Sequence, residues 1–406
     1  MRLLTAAGTE LWLAYGMNVH PGGTVASTEE AIRTTVLPLK ARLRARGPFG
    51  VALRLGAEAV TGLAEDEREC ARLRGVLDDH RLVPFTANGF VAGSFHGRRL
   101  KDEVYRPSWH EAARVEYTLA LAEVMAALRG SGHTVSISTA PGSWRAWEEG
   151  RRAAKDRAHN LVACARRLMA LEERTGTRVL LGLEAEPRCT IETTRELLTF
   201  FQGPLRTAFG RDRLAARHLG ACFDVCHHAV MHEDLEGSLA LLEAAGVPVV
   251  KVQASSALEV PDPRDPAAMA ALRSFAEPVY LHQVAARDPA GARHVAEDLP
   301  QVLGDAQGPW MDLRPWRVHF HVPVFRETLV PPLRTTQPDL RRVLALVAKG
   351  GVTEHLEIET YSFGVLPEAE RTAGSGRDLV DALAREYEWV LSVLEGAGAK
   401  RAAGEA

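Results

Sequence analysis

A (β/α)8 barrel with a long excursion after its seventh strand is the fold this sequence predicts. Short apolar runs alternate about eight times with helical stretches, a pattern suited to a parallel sheet covered on both faces. Several of those runs end in acids or histidines, and a barrel collects its functional side chains at the C-terminal ends of its strands. One interval, 254–332, is too long for a strand-to-helix loop. A doubly wound open sheet is the alternative, but no glycine-rich phosphate fingerprint follows the first strand.

In chain order, 11–19 is apolar and aromatic and runs into the turn Asn18-Val19-His20-Pro21-Gly22-Gly23. Ser27 to Glu30 has the spacing of a capping box, so a helix is expected to about Arg46. The second strand is 50–55, and the helix 65–80 sets Leu73 and Leu77 on one face. The third strand, 82–90, ends at Asn88-Gly89-Phe90. A loop with Phe95, His96, Lys101, Tyr105 and Trp109 follows, and Ser108 to Glu111 caps the next helix. The fourth strand is the β-branched run 134–139, followed by Pro141-Gly142-Ser143-Trp144 and a helix over 147–173. Strand five is 178–186, and Thr193 with Glu196 caps a short helix. Strand six is 218–224, its helix 235–245, and strand seven 247–253. Within 254–332 lie a Pro/Asp-rich piece and two strand-like runs, 279–284 and 317–325, read as a folded excursion over the barrel mouth. A helix over 338–348, strand eight at 355–360 and a helix over 378–394 complete a single barrel of residues 1–395. The tail 396–406 is expected to be disordered.

With 46% hydrophobic and 25% charged residues the chain is an ordinary globular protein, and a net charge of −3 gives no field favouring nucleic acid. No apolar run approaches the roughly 20 residues of a membrane span, and the N-terminus reads as a strand rather than a signal peptide. The five scattered cysteines point to reduced thiols and a cytoplasmic setting. Cys222 and Cys226 flank Asp224 and are read as small core residues.

The stretch Gly220 to Met231, GACFDVCHHAVM, carries the chemistry. Asp224 and His227 form a D-x-x-H pair at a strand end, a spacing at which carboxylate and imidazole reach one divalent cation. Strand five ends with Glu184 and Glu186, two apart and so on one side. Strand eight repeats this with Glu357 and Glu359. A buried strand-end carboxylate is costly unless paired or metal-bound, and an arginine pair at the rim is the other explanation. In the excursion, His319 and His321 form an H-x-H with both imidazoles on one side of an extended segment. The expected metal set is Glu184, Asp224, His227, His319, His321 and Glu359. Mixed N and O donors suit Mn²⁺, Zn²⁺, Fe²⁺ or Co²⁺ without choosing among them. His20, His282 and Asn88 also stand at strand ends, whereas His96 and His110 fall in a polar loop.

The order "strand ending in Glu, strand ending D-x-x-H, His, strand ending in Glu" resembles the xylose isomerase-like barrel superfamily, which includes sugar isomerases, epimerases and the endonuclease IV group. Here it maps to Glu184, Asp224, His227 and Glu359, with CFDVCHHAV and LEIET as the carrying phrases. The phrases NVHPG, NGFVAGSFHG, VYRPSW, LEAEP, VHFHVPVF and LEIETYSF resemble the EboE-type metabolite traffic proteins within that superfamily. That resemblance implies association with movement or processing of a secondary-metabolite precursor, and possible partners encoded in the same gene cluster. The chain departs from the superfamily at strand seven, where Lys251 and Gln253 stand instead of a terminal histidine; His319 or His321 is the expected replacement. The second and third strands lack the histidines of the trinuclear endonuclease type, with Arg54 and Asn88 nearby instead, which counts against a three-metal phosphodiesterase.

Three functions fit. The first is a metal-dependent isomerase or epimerase of a small sugar-like metabolite. Glu184 and Glu359 would exchange the proton, Lys251 would assist or neutralise substrate or else pair with Glu184, and Arg54, Asn88, Trp144, His20 and His282 would contact it. The second is a non-catalytic metabolite carrier. The third is a metal-dependent phosphoester hydrolase. Fold alone does not choose among them.

Overall fold

Eight runs of apolar and small residues become parallel strands: β1 (Glu10–Tyr15), β2 (Phe49–Leu53), β3 (Leu82–Asn88), β4 (Thr134–Thr139), β5 (Arg178–Glu184), β6 (Leu219–Asp224), β7 (Val249–Ala254) and β8 (His355–Ile358). The structure, a computed structural model, describes residues 1–93, 101–147, 150–211, 214–304, 308–368, 370 and 379–402. Hydrogen bonding runs in the order β1-β8-β7-β6-β5-β4-β3-β2, and a parallel bridge between Gly16 and Ala52 closes the ring. Glycine is needed at that seam because a Cβ on Gly16 would lie 2.7 Å from Glu357 Oε1 and 2.8 Å from Asn18 Oδ1. The fold expected from the alternation of strands and helices is therefore the one observed.

Helix starts follow local capping chemistry. The first helix begins at Val25, not after Ser27: Thr24 is extended and its hydroxyl accepts the Ser27 N–H at 3.1 Å, with Ser27 reaching back. Thr193 and Glu196 do form the expected capping box.

The barrel interior is layered. At its N-terminal end Trp12, Ala14, Ala52 and Phe85 pack together, and Phe85 meets the His355 ring edge-on at 5.0 Å. His355 Nδ1 shares a 2.9 Å hydrogen bond with Ser136 Oγ, which bonds Thr86 Oγ1 at 2.8 Å. Above them Lys251 of β7 donates to Glu357 of the adjacent β8, both fully buried. The strand ends form the third layer, which holds the site.

The excursion is a five-stranded antiparallel sheet in the order Arg293–Ala296, Val284–Arg287, Trp316–Val318, Leu258–Val260, Arg334–Thr335. Of the expected strand 279–284 only Val284 is in a strand. The Glu277 carboxylate accepts the N–H groups of Val279 (2.7 Å) and Tyr280 (2.9 Å) and bends the chain there. The run 317–325 is a strand only to Val318. Beyond it, His319 N–H bonds Gln283 O (2.8 Å) and Val322 N–H bonds Ser256 O (2.9 Å), which turns the H-x-H toward the mouth.

The expectation of a disordered tail from 396 is corrected through residue 402. Lys400 and Arg401 pair antiparallel with Leu4 and Leu3 of the strand Arg2–Leu4, whose edge offers unsatisfied backbone groups. Residues 403–406 lie outside the described residues.

Candidate metal centre

Asp224 closes β6 and caps the helix Val225–Val230, accepting the His227 N–H at 2.9 Å. The D-x-x-H spacing is thus an N-cap and the third residue of its helix, which throws His227 into the barrel mouth. Ser255 Oγ donates to the same Asp224 oxygen at 2.8 Å. Glu184 ends β5, with Glu186 two residues on. Glu359 follows the end of β8, where Asn18 Nδ2 (2.6 Å) and Asn88 Nδ2 (3.1 Å) donate to its Oε1.

Three imidazoles converge on these acids, and their protonation pattern follows from their neighbours. His227 Nδ1 faces Ala185 O at 3.0 Å, His321 Nδ1 faces Glu359 O at 2.9 Å, and His319 Nδ1 faces Gln283 Oε1 at 2.7 Å. Carbonyl oxygens only accept, so each neutral ring carries its proton on Nδ1 and its lone pair on Nε2. The amide of Gln283 is oriented by its Nε2, which donates to Tyr105 Oη (2.9 Å) and Pro187 O (3.1 Å). The Nε2 atoms of His227 and His321 then face each other at 3.4 Å with no proton between them. His319 Nε2, Glu184 Oε2, Asp224 Oδ2 and Glu359 Oε2 are buried without a hydrogen-bond partner.

The donor atoms fall into overlapping groups, each within 4.8 Å: Glu184, Asp224 and Glu359; Asp224, His227 and His321; Glu186, His227 and His319; Cys226, His319 and His321. Asp224 joins the carboxylate side to the imidazole side. Burial first, then the Asp224 carboxylate, pushes Glu184 up to about 8. Burial and the neighbouring acids also hold Glu186 and Glu359 well above the carboxylate range. Burial, then the other imidazoles, pushes His227 and His319 well below the histidine range. Acids that repel one another beside bases stripped of protons, with lone pairs aimed inward, form a donor set that fits a divalent cation. Among the described residues no arginine pairs with Glu184 or Glu186; their ion-pair neighbours are His227 and, for Glu186, His319.

A pocket opens over this cluster, with Asn18, Asn88, Glu184, Glu186, His227 and Glu359 among its polar lining residues. Of the expected substrate contacts, Asn88 and Arg54 line it. Arg54 spends its Nη atoms on the carbonyls of Pro21 (3.2 Å), Gly22 (3.1 Å), Val91 (3.3 Å) and Gly93, so it holds the loops together. Trp144, His20, His282 and Lys251 are not among the lining residues. Trp144 stacks behind Tyr105 at 4.9 Å, and His20 shares a 3.1 Å hydrogen bond with the Tyr15 hydroxyl. His282 braces the His319 carbonyl at 3.0 Å and Glu277 at 2.8 Å. Lys251 is sealed beneath the centre, because Glu357, its neighbour across the β7–β8 seam, captures the ammonium. His110 lies 3.4 Å from Arg157 Nη1, and His96 lies outside the described residues. Sequence reasoning missed Asn18, Gln283, Tyr105 and the inward role of Glu186. Only Glu186 carried a signal, its spacing from Glu184.

No protein-family model matches the chain, and no curated protein matches it. Among solved structures it is similar to a xylose isomerase-like TIM barrel protein from Mycobacterium smegmatis in complex with magnesium, at 11% identity and TM-score 0.50, covering 97% of this chain and 99% of that one. A probable 3-DHS dehydratase, AsbF, involved in petrobactin synthesis from Bacillus anthracis, aligns at 12% identity and TM-score 0.48 over 94% of this chain and 98% of that one. The IOLI protein with a binding zinc atom aligns at 11% identity and TM-score 0.48 over 95% of this chain and 99% of that one. The likeness is one of fold, a (β/α)8 barrel. No helix among the described residues is long and apolar enough to cross a membrane.

Proposed function

We propose that the protein is a divalent-metal-dependent isomerase or epimerase of a small compound bearing a hydroxyl beside a carbonyl. The observation that carries this reading is the set of unpartnered donor atoms of Glu184, Asp224, His319 and Glu359, buried at the barrel mouth and facing a pocket. Glu184, Asp224, Glu359, His227, His319 and His321 would hold the cation. When bound, it supplies Lewis-acid polarisation of a substrate oxygen. Glu184 and Glu359 would accept and return a proton at carbon through a carboxylate oxygen the cation does not hold, the task of a general base within hydrogen-bond reach. Asn18 and Asn88 fix the Glu359 carboxylate through its Oε1. Mn²⁺, Zn²⁺, Fe²⁺ and Co²⁺ all suit the donors. The five free, buried cysteines fit a cytoplasmic setting. The phrases resembling the EboE-type group favour a secondary-metabolite precursor as substrate.

A phosphoester hydrolase is the second reading. It is favoured by one observation: Asp224 belongs to both a carboxylate and an imidazole donor group, as a residue shared by two cations would. The test is solvent deuterium incorporation into small α-hydroxycarbonyl compounds by metal-loaded protein, beside release of phosphate from small phosphoesters. Isomerase chemistry predicts carbon-bound deuterium, lost in Glu184→Gln. Phosphate release without exchange would favour the hydrolase, and neither activity would favour a carrier.

A further inference from the structure

The pocket is lined by the donor cluster, by Arg54 and Lys101, and by apolar or aromatic side chains from three separate parts of the chain: Phe90, Val91 and Tyr105 after β3, Tyr280 and Leu281 in the excursion, and Tyr361 after β8. These walls are preformed. The rings of Phe90 and Tyr105 meet edge-on at 5.9 Å, Tyr280 meets Tyr361 edge-on at 5.4 Å, and Tyr361 lies 4.8 Å from the His321 ring. Several polar atoms of the walls are engaged by the protein itself. Tyr105 Oη donates to Glu186 (2.8 Å) and accepts from Gln283, and Lys101 Nζ binds Tyr280 O (2.8 Å) and Asp298 (2.6 Å). The Arg54 Nη atoms are occupied by backbone carbonyls.

A polyhydroxylated chain entering this pocket would place hydroxyls against Phe90, Val91 and Leu281. It would lose water there without gaining partners, a cost that an apolar body avoids. Flat, rigid walls around a few convergent polar groups instead match a ring-bearing ligand with one polar end. We infer that the substrate has an apolar, ring-bearing body and a single oxygen-rich head group directed at the cluster, and is not a sugar. This inference rests on the metal-centre reading and names the substrate class for it.

The test uses whole protein loaded with Mn²⁺ or Zn²⁺, with metal content measured first. Three probes share one metal-binding head: acetohydroxamate, benzohydroxamate and D-erythronohydroxamate. Benzohydroxamate is expected to bind about tenfold or more tighter than acetohydroxamate, and the erythronate probe no tighter than acetohydroxamate. Leu281→Ser and, separately, Tyr361→Ser should each shrink the benzohydroxamate advantage while metal content holds. An erythronate probe that equals or exceeds benzohydroxamate on metal-loaded protein overturns this inference and leaves the metal centre standing. Protein that takes up no metal and binds none of the probes overturns both.

Discussion

Two buried charge clusters lie one above the other in this barrel, and they differ in how they are balanced. In the lower one, Lys251 and Glu357 are both inaccessible to water and neutralise each other across the β7–β8 seam, though Glu357 Oε1 is left without a hydrogen-bond partner. Burial works against the Lys251 charge, yet the Glu357 carboxylate and its neighbours raise its pKa above the ordinary lysine value. In the upper one, acids face acids and imidazole lone pairs face each other, and the free oxygens and nitrogens point at a common space. A closed pair is a structural element; an unbalanced cluster beneath a pocket is built for a guest.

The strongest way to break that contrast is to remove one member of the lower pair. Lys251→Met leaves Glu357 buried and alone and should cost about 3–5 kcal/mol in denaturant unfolding. Lys251→Met with Glu357→Leu should recover most of it. A Lys251→Met protein as stable as the parent would mean the pair is not closed.

The upper cluster should respond in the opposite sense. Glu184→Gln replaces a carboxyl whose charged form burial and Asp224 oppose, so the metal-free protein should melt no lower than the parent. What it should lose is stabilisation by added metal, about 4 kcal/mol in the parent at a thousand times Kd. Metal-dependent melting curves for the two proteins check both halves.

A smaller effect sharpens the account of the imidazoles. Gln283 touches no proposed cation but holds the His319 tautomer. Gln283→Ala should weaken metal binding about 10–100-fold, measured by competition with a chelator, and Gln283→Glu, which keeps an acceptor toward Nδ1, should lose less.

A pH-dependent effect concerns the floor. Burial, then the Lys251 ammonium, pulls His355 down to about 3. Between the ordinary histidine value, about 6.5, and that folded value, the unfolded chain takes up a proton that the folded chain refuses. This contribution to stability is therefore present above pH 6.5 and is lost as pH falls through that window, by at most about 1.4 kcal/mol per pH unit. His355→Gln should flatten the acid limb of a stability–pH curve; an unchanged slope would count against a buried neutral His355.

The parts of this molecule that were legible in the sequence are those whose pattern is set by burial on both faces. Most of the barrel strands read as apolar runs because a covered parallel sheet leaves no polar side to confuse the period. Glu184, Asp224, His227 and Glu359 were legible because strand ends are where acids have no packing reason to be. The strands of the excursion were not, because elements such as Leu258–Val260 are too short for a period. Gln283 was invisible because a neutral amide in a bend carries no signal until its neighbours are known. Lys251 was noticed, but its partner was not. Its partner is two residues before Glu359 on the adjoining strand, and only the β7–β8 register (Glu357 opposite Gln253) makes that pairing plain. The alanine- and glycine-rich tail hid a strand at Lys400–Arg401 whose pairing depends on backbone, not side chains.

The most direct measurement is elemental analysis of protein purified without a histidine tag, beside an Asp224→Ala/His227→Ala variant treated identically. Near-stoichiometric divalent metal in the parent, lost in the variant, is the predicted result. Metal absent from both, even after incubation with Mn²⁺ and Zn²⁺, would contradict the central claim that the upper cluster is balanced by a bound cation.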